Sequence, residues 1–345
     1  MGENPDVSII VSTYNRAEVL RGALERMLAQ EAEGITYEVI AVDNNSPDNT
    51  RRVIESMIGL GHENLKYVFE PRQGVSYGRN TGMSNARAPI FAFTDDDVRV
   101  SPDWVATIKR TFDARPEVDF LGGKVLPMHG VAMPEWLTRK QWAPLAIVDY
   151  GDTPFYVDSG NMLCLVGANL AFRRKAVEAL GPFATDVQRV KGGIGSLEDV
   201  ELQVRAWKVG GKGLYVPELI TFAEVSEERL VKRYHRRWHT GHGHFYAIMR
   251  LEEFERSGRR PLFEVPAHLY KQALLDACAW AMHICMGRTT EAFEFESKLR
   301  FFRGFFRKRR KDFLAGRSKS SARELLEFAR SLAHRKGTPR ARAAG

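Results

Sequence analysis

Three carboxylates stand in a row, Asp95, Asp96 and Asp97, where the apolar run of residues 89–94 ends. Adjacent carboxylates repel one another and are costly unless cations neutralise them. Hard divalent ions such as magnesium or manganese take oxygen ligands, often one or two carboxylates plus the phosphates of a substrate. A solvated acidic turn is the plainer alternative. A position at the carboxyl edge of a parallel sheet, where ligands bind, favours the metal.

Three further clusters could do chemistry. Asp43-Asn44-Asn45-Ser46 can hold a base or ribose by hydrogen bonds, or cap the helix that follows. Residues 74–82 offer glycines for close backbone approach and Arg79 for phosphate, without the GK[ST] of a Walker A loop. Glu198-Asp199 follows a glycine-rich stretch, residues 192–195. A carboxylate there can act as a general base, or can favour a helix N-terminus through the macrodipole.

These clusters need elements to position them. Residues 7–11, 38–42, 65–69 and 89–94 read as buried strands, and 17–30, 53–58 and 77–86 as helices between them. Such alternation implies a parallel sheet covered on both faces, and each polar cluster of this half lies at a strand's carboxyl end. Further strands are expected at 121–126, 163–172 and 212–217, and a helix at 198–209. Residues 127–159 read as a long loop that carries Trp136 and Trp142. Beyond Glu227 mostly helix is expected.

Composition is that of a globular protein. Cys164, Cys278 and Cys285 form no CxxC pair, which points away from a disulfide framework and toward a reducing compartment. Residues 1–6 show neither a secretory signal nor a myristoylation motif. The net charge of +8 falls mainly after Arg229. A catalytic core with a basic appendage is the simplest account, and polyanions are its natural partners.

In order, the segments VSIIVSTYNR (7–16), EVIAVDNNSPDNT (38–50), GVSYGRNTG (74–82), FAFTDDDVRVSPDW (91–104), VGANLAFRR (166–174) and SLEDVELQVRAWKVG (196–210) resemble a bacterial-type family 2 glycosyltransferase. The resemblance implies the GT-A fold, a Rossmann-like, mostly parallel α/β sheet with flanking helices, over residues 1–227. A basic helical region over 228–335 and a disordered tail over 336–345 complete the expected organisation. It implies that Ser12, Thr13, Tyr14, Asn15, Asp43, Arg79, Asn80, Asp95, Asp96 and Asn169 bind a nucleotide sugar, UDP-linked by the habit of the family. Asp95 and Asp97 match its DxD carboxylates, with Asp97 holding manganese or magnesium. Asp199, with Glu198 beside it, matches the base of inverting members. The implied acceptor is a glycan or lipid-linked glycan of the cell envelope.

One position departs from the pattern. Ala223 stands where many relatives carry a metal or diphosphate histidine. Glu224 or a later histidine substitutes, or the metal has only aspartate ligands. His235, His239, His242 and His244 are available, and the plainer expectation puts them on a solvated basic helix.

Residues 265–286 are apolar but interrupted by charge, so they read as a buried or interfacial helix rather than a spanning one. Phe301, Phe302, Phe305 and Phe306 recur at helical spacing among arginines and lysines. They either meet an anionic membrane surface or pack on the catalytic core. The expected location is cytoplasmic, peripheral on the inner face of the membrane. A nucleotidyltransferase would want a glycine-rich N-terminal signature that VSTYNR lacks. A nucleic-acid-binding protein would leave the acidic triplet unexplained, so no nucleic-acid partner is expected.

Overall fold

A computed structural model describes residues 4–190, 193–256, 258–260 and 262–316. The expected tail, 336–345, lies outside the described residues. The chain forms two compact units, the first ending at His235 and the second beginning at Arg236.

The first unit alternates as β1 (Val7–Thr13), α1 (Ala17–Leu28), β2 (Tyr37–Asp43), α2 (Thr50–Gly59), β3 (Leu65–Phe69), α3 (Val75–Asn85), β4 (Ile90–Asp95), β5 (Val98–Val100), α4 (Trp104–Ala114), β6 (Phe120–Pro127), β7 (Phe155–Val157), β8 (Leu170–Arg173), α5 (Arg174–Leu180), α6 (Glu198–Lys208) and β9 (Gly213–Ala223). Among the described residues these strands make a nine-stranded sheet ordered β3-β2-β1-β4-β8-β6-β9-β5, with β7 on β9. β1 is buried on both faces, which fits its richness in Val and Ile rather than a polar–apolar alternation. The chain leaves β1 for β2 and β3 on one side and returns to β4 on the other. That reversal opens a crevice at the carboxyl ends of β1 and β4.

The parallel half is as the sequence reading has it. The second half is mixed: β8 runs antiparallel between β4 and β6, while β9 is parallel to β6. Two strands differ in extent from expectation. The strand expected at 163–172 begins only at Leu170 and runs to Arg173, after a 3-10 turn at Gly167–Asn169. β9 continues past Pro217 to Ala223, because the register jumps there: Gly123 faces Val216, and Lys124 faces Ile220. Proline lacks a ladder N–H, and the irregularity absorbs it. A Cβ on Gly123 would collide with the carbonyls of Val216 and Leu219, so this crossing requires glycine.

The second unit holds the greater part of α7 (Lys232–Met249), then α8 (Glu252–Glu255), α9 (Ala267–Cys285) and α10 (Thr289–Leu314). Its core joins Ala247, Val265, Leu269, Phe302 and Phe305, with Phe301 and Phe306 against it. Phe301, Phe302, Phe305 and Phe306 of α10 thus pack within their own unit. α7 and α10 approach through Gly243 and Gly304, whose added Cβ atoms would strike the backbone of the facing helix. No helix among the described residues is long and apolar enough to cross a membrane.

Candidate active site

The crevice brings the carboxylate triplet to the end of β1. Ser12 lies in register with Asp95 on one side, and Thr13 with Asp43 on the other. The Thr13 hydroxyl donates to Asp96 Oδ2 at 2.7 Å. One Arg16 nitrogen bridges Asp96 Oδ1 at 2.9 Å and Asp97 Oδ2 at 2.8 Å. Arg229, from a 3-10 turn just after β9, reaches the same Asp97 oxygen at 3.4 Å. Burial pushes the Asp96 carboxyl up to about 6, against the pull of Arg16.

A second cluster closes on Arg79, which α3 delivers in a buried position. Its guanidinium donates to Glu198 Oε1 at 2.9 Å and to Asp95 Oδ1 at 3.2 Å. Burial works against its charge, but Glu198, Asp95 and Asp199 overcome that and leave its pKa raised. Burial also raises the pKa of Glu198, which Arg79 opposes. Asp199 opens α6, where acidic residues suit the helix N-terminus. The Gly167 amide donates to Asp199 Oδ2 at 2.8 Å and the Val200 amide to Oδ1 at 2.9 Å. A Cβ on Gly167 would press on the side-chain ends of both Arg79 and Asp199, so a larger residue here would displace them.

The remaining residues of the sequence reading divide. Asp43 accepts from the Ser46 amide and the Tyr67 hydroxyl, so it both shapes its turn and stands at the end of β2. Tyr14 is half-buried and Asn15 exposed at the crevice, Asn15 in a left-handed backbone at φ 55°. Asn80 serves the packing of the chain instead, since its amide pairs with the backbone of Phe183 in both directions. Asn169 is fully buried and does not line the crevice. It accepts from the Trp104 indole at 2.8 Å and donates to the carbonyls of Lys124 and Leu219, at the irregular step between β6 and β9.

Glu224 pairs with Arg99 at 3.2 Å, while its amide donates to the Asp97 carbonyl. His235 is buried with Nε2 against the Arg229 carbonyl, and burial lowers it to about 4. His242 is enclosed by Trp238, Tyr246 and Phe301 and is lowered to about 3. Both depart from the solvated basic helix of the sequence reading, because their faces are used for packing. Trp136 and Trp142 join a satellite apolar cluster with Leu137, Leu145, Ile147 and Val225. Tyr150 is an exposed aromatic of that loop, its hydroxyl on the Cys164 carbonyl and its ring among Phe155 and Tyr215.

The arginines at Asp97 are additions of the structure. Arg16 is visible in the sequence as the last residue of the first motif. Arg229 has no local signal, since only the return of β9 brings it there. Together Arg16, Arg79 and Arg229 set three guanidiniums against the five carboxylates Asp95, Asp96, Asp97, Glu198 and Asp199. A diphosphate added to that excess of negative charge calls for a further cation. The oxygen donors fit a hard divalent ion on Asp97 and Asp95 completed by phosphate and water, although no group of three acidic, histidine or cysteine side chains among the described residues is arranged to hold one alone.

Residues 8–181 match the family described as glycosyl transferase family 2. A glucosyl-dolichyl phosphate glucuronosyltransferase of Haloferax volcanii is 27% identical over 186 residues, 53% of this chain and 57% of its own length. Glycosyltransferase AglE of the same organism is 31% identical over 216 residues, 60% of this chain and 62% of its own. The chain thus spans about three fifths of the length of these relatives. Among solved structures, a mannosyltransferase from Pyrobaculum calidifontis in complex with GDP-Man and Mn2+ shares the fold, with a TM-score of 0.55 at 19% identity, covering 87% of this chain and 88% of that one.

Proposed function

Because the chain belongs to glycosyl transferase family 2, we propose that it moves a sugar from a nucleotide sugar to a hydroxyl of a glycan or lipid-linked acceptor, inverting the anomeric centre. One observation carries this reading: the acidic triplet ending β4 and the carboxylates opening α6 close on a single buried arginine, Arg79, at the reversal point of the sheet.

In this reading the base and ribose lie along the ends of β1 and β2, against Ser12, Tyr14 and Asp43. Arg79 holds Asp95 and Glu198 in place. Arg16 and Arg229 turn from Asp97 toward the diphosphate. Asp97 and Asp95 would hold a divalent ion, which would supply Lewis-acid countercharge for the leaving group. Asp199 takes the acceptor proton. The amides of Gly167 and Val200 fix its carboxylate plane, leaving the remaining lone pairs for the hydroxyl. Tyr150 offers an aromatic face on the acceptor side. The second unit meets an anionic membrane at its cytoplasmic face, where a lipid-linked acceptor would be presented.

The test is a screen of nucleotide sugars, UDP-linked first, for thermal stabilisation with and without manganese, followed by product analysis. Release of a nucleoside diphosphate with an inverted product is expected. Release of pyrophosphate, or turnover by D97N in excess chelator equal to wild type, would overturn the proposal.

A further inference from the structure

α9 has an inner side that carries Leu269 and Asp276, both buried. Its outward side is unusual for a surface helix. Leu274, Leu275, Cys278, Met282 and Cys285 recur at helical spacing and are exposed, Leu274 at 66% and Leu275 at 53%. A helix facing water ordinarily carries polar groups there. Lys271 opens this face and Arg288 follows its end, both exposed.

Charge decides what fits this face. From Arg236 onward the sequence has 24 lysines and arginines against 11 acidic residues, although the whole chain is only +8. A second copy of so basic a unit would be repelled. An anionic surface would be attracted, and it would accept the apolar side chains as well. The helix carries Lys271 and Asp276 within its length and does not qualify as a spanning segment, so it suits a surface-parallel position.

We infer that the outward face of α9, centred on Leu275, Cys278 and Met282, docks on an anionic lipid surface. This inference rests on the membrane contact proposed above and assigns it to one face, distinct from the phenylalanines of α10. It places an in-plane helix on the lipid, with the basic residues of the unit meeting headgroups.

The experiment uses the full chain and flotation with phosphatidylcholine vesicles, with and without phosphatidylglycerol. Wild type is expected to float with the anionic vesicles and to be released by salt. L275E/M282E, two surface substitutions whose fold is checked by circular dichroism, is expected to lose about tenfold or more in partitioning. If wild type binds and the variant binds equally, the assignment to α9 is wrong while membrane contact stands. If wild type does not bind, membrane contact itself fails. A wild-type dimer in light scattering that the variant splits, without vesicle binding, would give the face to a second copy instead.

Discussion

Arg16 and Asp97 meet at 2.8 Å, and the same guanidinium nitrogen also holds Asp96. Asp97, one of the two carboxylates proposed for a metal, is thus already partnered by an internal cation. Incoming metal competes with that cation, and a diphosphate gives Arg16 somewhere else to go. R16A should therefore bind manganese several-fold more tightly than wild type when no nucleotide is present. Manganese titration by electron paramagnetic resonance reads this without turnover. Equal or weaker binding by R16A would show that Arg16 does not compete.

Asp199 is oriented by two backbone amides rather than by another side chain. D199N keeps the shape and loses the base. A fall in kcat of about 10²–10⁴ is expected, with donor binding nearly unchanged. A comparable loss of donor affinity would instead make Asp199 a binding group.

Asn169 ties Trp104 to the carbonyls of Lys124 and Leu219. N169A leaves these buried groups without their partner. Each such loss costs about 1–3 kcal/mol, so a destabilisation of about 3 kcal/mol or more is expected in urea unfolding. A change below about 1 kcal/mol would return Asn169 to the ligand contacts.

His235 stays neutral in the folded chain down to about pH 4, chiefly because it is buried. Unfolded, it titrates near its ordinary value of about 6.5. The unfolded chain therefore binds the proton first, and stability is lost as pH falls from about 6.5 toward 4. H235Q should flatten that part of the melting-temperature profile. An unchanged slope would assign it to other groups.

Much of this is legible in the sequence. The runs of residues 7–11 and 38–42 are apolar apart from Ser8 and Glu38, and each is followed closely by polar residues, so strand and crevice edge can be read together. β5 is only three residues long and follows the acidic turn without a break, which leaves no periodicity to detect. Pro217 conceals the second half of β9, because a proline ordinarily ends a central strand. The roles of Asn80 and Asn169 are hidden for a different reason. A polar residue inside a motif looks the same whether it meets a ligand or a stray carbonyl. For Asn169 only the irregular step beside Gly123 distinguishes the two. Arg229 needs the tertiary fold, since it is 132 residues from Asp97.

The step at Gly123 also sets a phase. Downstream of it, Thr221, Phe222 and Ala223 face Val125, Leu126 and Pro127, and the Glu224 amide then reaches the Asp97 carbonyl. Side chains alternate faces along a strand, so removing one residue between Val216 and Ile220 would invert this whole stretch. The acidic turn is held in frame by a miscount in a neighbouring strand, and a simpler ladder there would be the more disruptive change.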